Sequence, residues 1–399
     1  MLGLLWVNLL ERGRPAMDRR PDGALTPFRW PCLVEVPCPP CRLSTSEAFA
    51  KMPSGAAHQP PNAGRCVKLL IPQAIIRLDG WKSMLLVTGG TSFVGRALLR
   101  QLTMAGYPLR ALIRPARQIP NLPLGVPVEA TLTSLGDRRG VRAALVGVKT
   151  VIHVGEALDP GCGERLRQSD VEGTRNLAEA AVEAGVEHLI FLSHLGADRT
   201  SAYPLQRAKA EAEEHVRSSG VRHTILRTAV LYGPDDHFTT NLAVLLALSP
   251  LITLIPGDGK IRMQPLWVED LATCITWMLD ALESLRDLYE IGGPEYLSLI
   301  EILRLVMAET GMTRLLIPAR APYLKSLAWV AERVFRASPI SPGWVDYLAV
   351  NRTTALDTLP RMLGLQPSLM QGKLTYLRGR NWGWDWITGQ LSARDGGRT

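Results

Sequence analysis

Thr88-Gly89-Gly90-Thr91-Ser92-Phe93-Val94-Gly95 places three glycines between a short apolar run and a helical stretch. Glycines there allow a tight turn and let an anion come close to main-chain N–H groups. A helix that starts at the same point aims the positive end of its dipole at that anion. The chemistry is the cradling of a pyrophosphate, and the candidate contacts are Gly89, Thr91, Ser92, Phe93, Val94 and Gly95. A glycine pattern by itself is weak, but a strand before it and a helix after it make it informative.

The surrounding elements supply that context. Apolar, β-rich runs occur at 84–88, 109–113, 126–130, 151–154, 189–193 and 224–231. Helical stretches lie between most of them, and several close on a glycine (Gly106, Gly185, Gly220), as helix C-termini often do. Near-continuous apolar strands alternating with helices predict a parallel sheet covered on both faces, an α/β doubly wound domain over residues 84–240. After Pro234 the alternation thins. A turn at Gly257-Asp258-Gly259, a helix over 268–282, a short strand at 289–292 and a helix capped by Ser298 and Glu301 predict a smaller C-terminal α/β domain. It covers 241–377, with some strands able to rejoin the main sheet, and a tail follows over 378–399.

The phosphate loop, Val151-Ile-His-Val-Gly155, Asp170-Val-Glu-Gly-Thr174, Leu192-Ser193 and Ile225-Leu-Arg-Thr228 followed by Tyr232-Gly-Pro234 together resemble the extended and atypical short-chain dehydrogenase/reductases. Gln264-Pro-Leu-Trp-Val-Glu-Asp-Leu271 and Tyr289-Glu-Ile-Gly-Gly-Pro294 look like that group's later landmarks, so the resemblance runs over about 84–377. It is epimerase/dehydratase-like overall. Within the superfamily it is most similar to the atypical branch that holds NmrA-like proteins and the nucleotide-binding accessory subunit of respiratory complex I. The resemblance implies a Rossmann fold and an NAD(P)(H) cofactor, with Gly155 and Thr228 on the cofactor side. Ser92 departs from the family pattern by standing where a middle glycine is usual. It keeps its N–H and adds a hydroxyl.

Sites that prefer NAD place an acid at the end of the second strand for the ribose 2′-OH, whereas NADP sites carry an Arg nearby. Here that strand runs Arg110-Ala-Leu-Ile-Arg114-Pro-Ala-Arg117, with no acid before Glu129. Arg114, with Arg117 as a second contact, favours NADP(H) over NAD(H). An Arg that simply faces solvent at a strand end is the plain alternative.

The family's enzymes use a Tyr as general acid/base, a Lys four residues later on the same helix face, and a Ser. In Ser201-Ala-Tyr203-Pro-Leu-Gln-Arg207-Ala-Lys209 the Tyr–Lys spacing is six. Pro204 predicts that Tyr203 precedes the helix and is free to turn inward. The resemblance therefore carries Tyr203, Lys209 and Ser193 over as catalytic candidates, with Lys209 also as the ribose anchor. His194 is an alternative acid/base beside them, a satisfied structural histidine being the competing reading. For Lys209 the competing reading is one solvated charge on a face shared with Glu211, Glu213 and Glu214. Asp170 stands where the family expects Asn.

Of 399 residues, 46% are apolar, and 45 Lys/Arg against 37 Asp/Glu give a net charge of +8. Residues 1–83 carry +5 of that charge and 11 of the 29 prolines without any helical or strand period. They read as a disordered leader or a mis-assigned start, with Met84 as the initiator. The remainder is too weakly basic for nucleic acid. Cys38-Pro-Pro-Cys41 with Cys32, Cys66 or His58 is a poor match to zinc spacing, so no metal is expected. No run reaches the ~20 apolar residues that span a bilayer, and the reading is cytoplasmic.

Two features keep peripheral membrane contact open. They are Trp382-Gly-Trp384-Asp-Trp386 and a helix over 323–336 with an apolar stripe through Tyr323, Leu327, Val330 and Val334. A core-facing stripe and a packed C-terminal arm are the plainer readings.

Two functions remain. One is an NADPH-dependent oxidoreductase acting on a small, fairly apolar substrate. The other is a non-catalytic dinucleotide-binding sensor or accessory subunit of a membrane complex.

Overall fold

The computed structural model describes residues 82–115, 121–155, 167–335 and 338–395. Residues 1–81, with the leader's cysteines and His58, lie outside them, as does Arg117.

Six strands of the main sheet come first: β1 (Leu85–Thr88), β2 (Leu109–Ile113), β3 (Glu129–Leu132), β4 (Thr150–Val154), β5 (His188–His194) and β6 (His223–Thr228). Two-residue β7 (Leu231–Tyr232), β8 (Ile252–Pro256), β9 (Arg262–Met263) and β10 (Leu266–Trp267) follow, then β11 (Leu288–Ile291), β12 (Leu297–Ser298) and β13 (Leu315–Ala319). Among the described residues the main sheet is parallel with order β11-β6-β5-β4-β1-β2-β3. The order reverses at β1, which is where a doubly wound sheet opens a crevice for a ligand. β11 lies in the C-terminal half of the chain and rejoins the sheet beside β6.

Successive side chains of a strand face opposite ways, and both faces of this sheet are apolar. Leu85, Val87, Ile152, Val154, Ile190 and Leu192 pack under α1 (Phe93–Met104) and, further along the chain, α6 (Val268–Met278). Leu86, Val151, Leu189, Phe191 and Ile225 pack under α2 (Arg138–Ala144), α3 (Gly173–Glu183) and α4 (Pro204–Ser218). The doubly wound reading is therefore correct. Gly106, Gly185 and Gly220 all take left-handed φ just past their helices.

β3 begins three residues later than the apolar run suggests. It is an exposed strand at the sheet's edge, where no burial pattern marks its limits.

A second core gathers α5 (Thr239–Leu248), α7 (Leu299–Thr310), Trp344, Tyr347 and Trp382. Ser298 and Glu301 form the expected capping box on α7, and Gly311 closes it with φ 70°. The 268–282 stretch divides into α6 and a tighter 3₁₀ segment, Leu279–Ser284.

α8 (Ala321–Val334) corrects one expectation. Its buried residues are Leu324 and Ala328, while Tyr323, Leu327, Val330 and Val334 are exposed, so the apolar stripe faces outward. α9 (Pro342–Tyr347) and α10 (Thr358–Leu363) follow. The tail forms α11 (Trp382–Asp395), in which Trp382 is buried, Trp386 packs on Phe335 and Trp384 is exposed. No helix among the described residues is long and apolar enough to cross a membrane.

Candidate functional site

The loop between β1 and α1 has the geometry a pyrophosphate needs. Gly89 sits at φ 66°, and a Cβ on it would lie 2.7 Å from the Val154 carbonyl oxygen. A Cβ on Gly95 would collide with the Gly89 carbonyl, so the helix can begin this close to the turn only with glycine there. Ser92 is the N-cap of α1 and its Oγ accepts from the Gly95 N–H at 3.0 Å. The serine replaces the usual glycine with a helix cap, and its hydroxyl hydrogen stays available to an incoming oxygen. Phe93 and Val94 are buried and anchor the first turn in the core. Arg96 donates to the Thr91 carbonyl at 2.9 Å and to Asp235 at 3.0 Å, bracing the loop from outside. These residues fit a dinucleotide's pyrophosphate.

Arg114 ends β2 and is exposed. The nearest acid in sequence, Glu129, pairs with Arg110 at 3.0 Å, at the opposite end of the strand from Arg114. β2 itself carries no carboxylate at its carboxyl end.

Behind the loop lies an arrangement that sequence reading missed. His153 on β4 sits 2.7 Å from the Thr88 hydroxyl and 2.9 Å from the Thr174 hydroxyl through its two ring nitrogens. Burial, reinforced by the Lys209 ammonium, pushes its pKa down to about 3, so the ring is neutral and one nitrogen accepts while the other donates. It ties the strand that leads into the phosphate loop to β4 and α3.

Lys209 is not on a solvated face. Its side chain is 2% exposed and its ammonium lies 3.3 Å from Asp170, itself 1% exposed. Asp170 is carried on a widened π-type turn, Arg167–Glu172, just before α3, a backbone irregularity found often at functional sites. Gly155 closes the group. A Cβ there would run into the Lys209 ammonium and lie 3.3 Å from Asp170 Oδ1. Asp in place of the family's Asn thus sets a counter-charge directly against the buried Lys209 side chain.

Ser193 requires a correction. Its hydroxyl donates to Glu213 Oε1 at 2.6 Å, and that carboxylate also receives Arg227 at 2.9 and 2.8 Å and Arg217 at 2.9 Å. These donors hold Glu213 below the usual carboxylate range against the cost of its burial. Ser193 is therefore engaged on the α4 side of the sheet and does not reach toward a substrate. Thr228 is buried, and its hydroxyl donates to the Ser193 carbonyl at 3.2 Å.

Tyr203 is the N-cap of α4, extended at φ −92° and ψ 122°, with Pro204 in the first helical turn. Being outside the helix, it points independently of Lys209. It is half-buried and within electrostatic reach of Arg352. His194, at the end of β5, is buried with its ring edge-on to Tyr347 at 6.4 Å. Arg352 stacks on the same Tyr347, 3.6 Å from the ring centroid. The structure thus separates two groups. Gly155, Asp170 and Lys209 form one behind the phosphate loop, and Tyr203, His194, Tyr347 and Arg352 form the other at the sheet's carboxyl edge. No cluster of potential metal ligands occurs among the described residues.

A protein family described as NAD(P)H-binding matches residues 89–250. Residues 89–250 thus carry an NAD(P)H-binding domain, on the parallel doubly wound sheet described above. The match begins at the first glycine of the phosphate loop and spans the binding domain through the end of α5.

Two curated proteins are similar to this chain over about half its length. The chain is 31% identical over 193 residues to a ceramide reductase of Caulobacter vibrioides, covering 48% of this chain and 59% of that one. It is 29% identical over 227 residues to the mouse mitochondrial NADH dehydrogenase [ubiquinone] 1 alpha subcomplex subunit 9, covering 54% and 58%. The chain thus spans less than two thirds of the length of either relative. Among solved structures, the UDP-glucose 4-epimerase of Thermus thermophilus in complex with NAD aligns with a TM-score of 0.55 at 22% identity. It covers 74% of this chain and 97% of that one, a likeness of fold. A nicotinamide dinucleotide is accordingly the cofactor class of this NAD(P)H-binding chain.

Proposed function

We propose that the chain is an NADPH-dependent oxidoreductase acting on a small, fairly apolar substrate. The observation that carries this reading is the gathering of a phenol, Tyr203 at the N-cap of α4, and an imidazole, His194 at the end of β5, around Tyr347 and Arg352. When bound, the dinucleotide supplies a hydride. The protein's part is to deliver or take a proton and to hold both partners. Tyr203, extended and half-buried, is placed to move that proton, with His194 as the alternative group. Lys209, paired with Asp170, faces the Gly155 backbone at the end of β4, where it anchors a ribose hydroxyl. Arg114 meets a 2′-phosphate at the end of β2, which supports NADPH over NADH. Tyr232, Trp267 and Tyr376 pack as an aromatic group near the carboxyl end of β6 and support an apolar substrate.

One observation favours the second reading, a non-catalytic dinucleotide-binding subunit or sensor. Ser193 and Lys209 are both engaged with buried carboxylates, Glu213 and Asp170. Turnover separates the two. NADPH consumption is followed with aldehydes and ketones of rising chain length, using the wild-type protein and the Tyr203→Phe and His194→Gln variants. The enzyme reading expects turnover that improves with chain length and falls by about 100-fold or more in one of the variants while NADPH binding is kept. NADPH binding with no turnover on any member supports the sensor or subunit.

A further inference from the structure

Among the described residues the buried charges come with partners, with one exception. Lys209 has Asp170. Glu213 has Arg217 and Arg227. Asp236 receives the N–H groups of Gly233 and Thr240 and the hydroxyl of Thr239. Arg352 is 5% exposed, and among the described residues no carboxylate lies within ion-pair distance of it. Its Nε and Nη1 have no hydrogen-bond acceptor among the described residues. Burial holds its pKa below the ordinary value, an effect that Tyr347 and Tyr203 only oppose.

The chain around Arg352 is fixed. Its N–H donates to the Arg262 carbonyl at 3.1 Å, it bridges to Met263, and its guanidinium stacks on Tyr347. A rigidly held, desolvated guanidinium without a counter-charge is costly to folding, and its planar donors match carboxylate and phosphate oxygens. It stands in the group formed by Tyr203 and His194, on the substrate side of the proposed reaction centre.

We propose that Arg352 is the specificity-determining residue of the substrate site, binding an anionic head group, a carboxylate or a phosphate, of an otherwise apolar substrate. The inference rests on the enzyme reading of this site and adds the head group to it. The test uses the full chain saturated with NADPH, titrated calorimetrically with octanoate, octyl phosphate and octanol, in the wild type and in Arg352→Met and Arg352→Lys. The wild type is expected to bind at least one of the two anions tenfold or more tightly than octanol, and the stronger of the two names the head group. Arg352→Met is expected to lose that preference and Arg352→Lys to keep part of it. Because Arg352→Met removes an uncompensated charge, its melting temperature is expected to equal or exceed that of the wild type. A purely structural arginine would give a lower one. Equal binding of all three probes, binding of none, or an unchanged preference in Arg352→Met overturns the proposal. NADPH affinity is measured separately, and loss of it in the wild type would count against the enzyme reading; the same titration without NADPH still tests Arg352.

A second inference rests on α8 alone. Leu324 and Ala328 hold it to the domain, while the opposite side presents Tyr323, Leu327, Val330 and Val334, with Trp329 exposed nearby. Arg333 lies over the Trp329 ring at 4.0 Å, and Arg320, at the helix start, is exposed. Aromatic and aliphatic side chains on one face with cations along its margins are the chemistry of a helix lying in an anionic bilayer surface. A second copy docked on the same face would bring like charges together. We infer that α8 seats on anionic lipid. Flotation with vesicles of phosphatidylcholine alone or with phosphatidylglycerol tests it, using the wild type and the Leu327→Glu/Val330→Glu double variant. Binding to the anionic vesicles that the double variant loses is expected. No binding by the wild type, or a wild-type dimer by light scattering that the double variant dissolves, overturns it.

Discussion

Gly155 has a backbone any residue could adopt, and the constraint on it is steric. Its Cβ position is already taken by the Lys209 ammonium and bordered by Asp170. A methyl group there must displace a lysine that is paired and almost fully buried, so the ion pair opens. Gly155→Ala is expected to cost about 1–3 kcal/mol of stability and to weaken dinucleotide binding. Denaturant midpoints with and without NADPH check both, and unchanged midpoints would show that Lys209 has room to move. Composition conceals this pair. Lys209 and Glu213 belong to a run of charges that reads as a solvated helix face, yet both are buried against partners from other segments, Asp170 and Arg227. Such pairing is tertiary and leaves no local signal. Arg352, in a stretch without motif or period, was invisible for the same reason. The phosphate loop was legible because its constraints are local: a turn, a helix start and close backbone contacts all fall within Gly89–Gly95.

At the scale of elements, the parallel strands were readable because most are buried on both faces and so carry continuous apolar runs. β3 escaped because it is exposed, with Glu129, Ala130 and Leu132 all open to solvent. Pro204 foretold correctly that Tyr203 stands outside α4, which frees it from the helical phase of Lys209. α8 marks a limit of periodicity. The spacing of Tyr323, Leu327, Val330 and Val334 showed that one face is apolar, but whether another element covers that face depends on the rest of the chain. Here Val345 packs on the opposite side, against Leu324 and Ala328. Ser193 marks a similar limit. Its position at the end of β5 matched the family, but strand alternation turns its hydroxyl to the α4 side, where Glu213 takes it.

For the molecule as a whole, the sheet order sets the crevice at β1. The phosphate loop occupies one part of it, and Arg114 on β2 and the Tyr203–His194–Arg352 group on the other side bracket it. We propose that a dinucleotide lies across that crevice, adenosine toward β2 and nicotinamide toward β5, with Arg114 choosing the phosphorylated form. The direct test is a titration of NADPH and NADH, followed by nicotinamide fluorescence, against the wild type and Arg114→Asp. The wild type is expected to bind NADPH at least tenfold more tightly than NADH, and the variant to lose or reverse that preference while its fold is kept. NADH bound as tightly as NADPH by the wild type, or a preference untouched by Arg114→Asp, would contradict it.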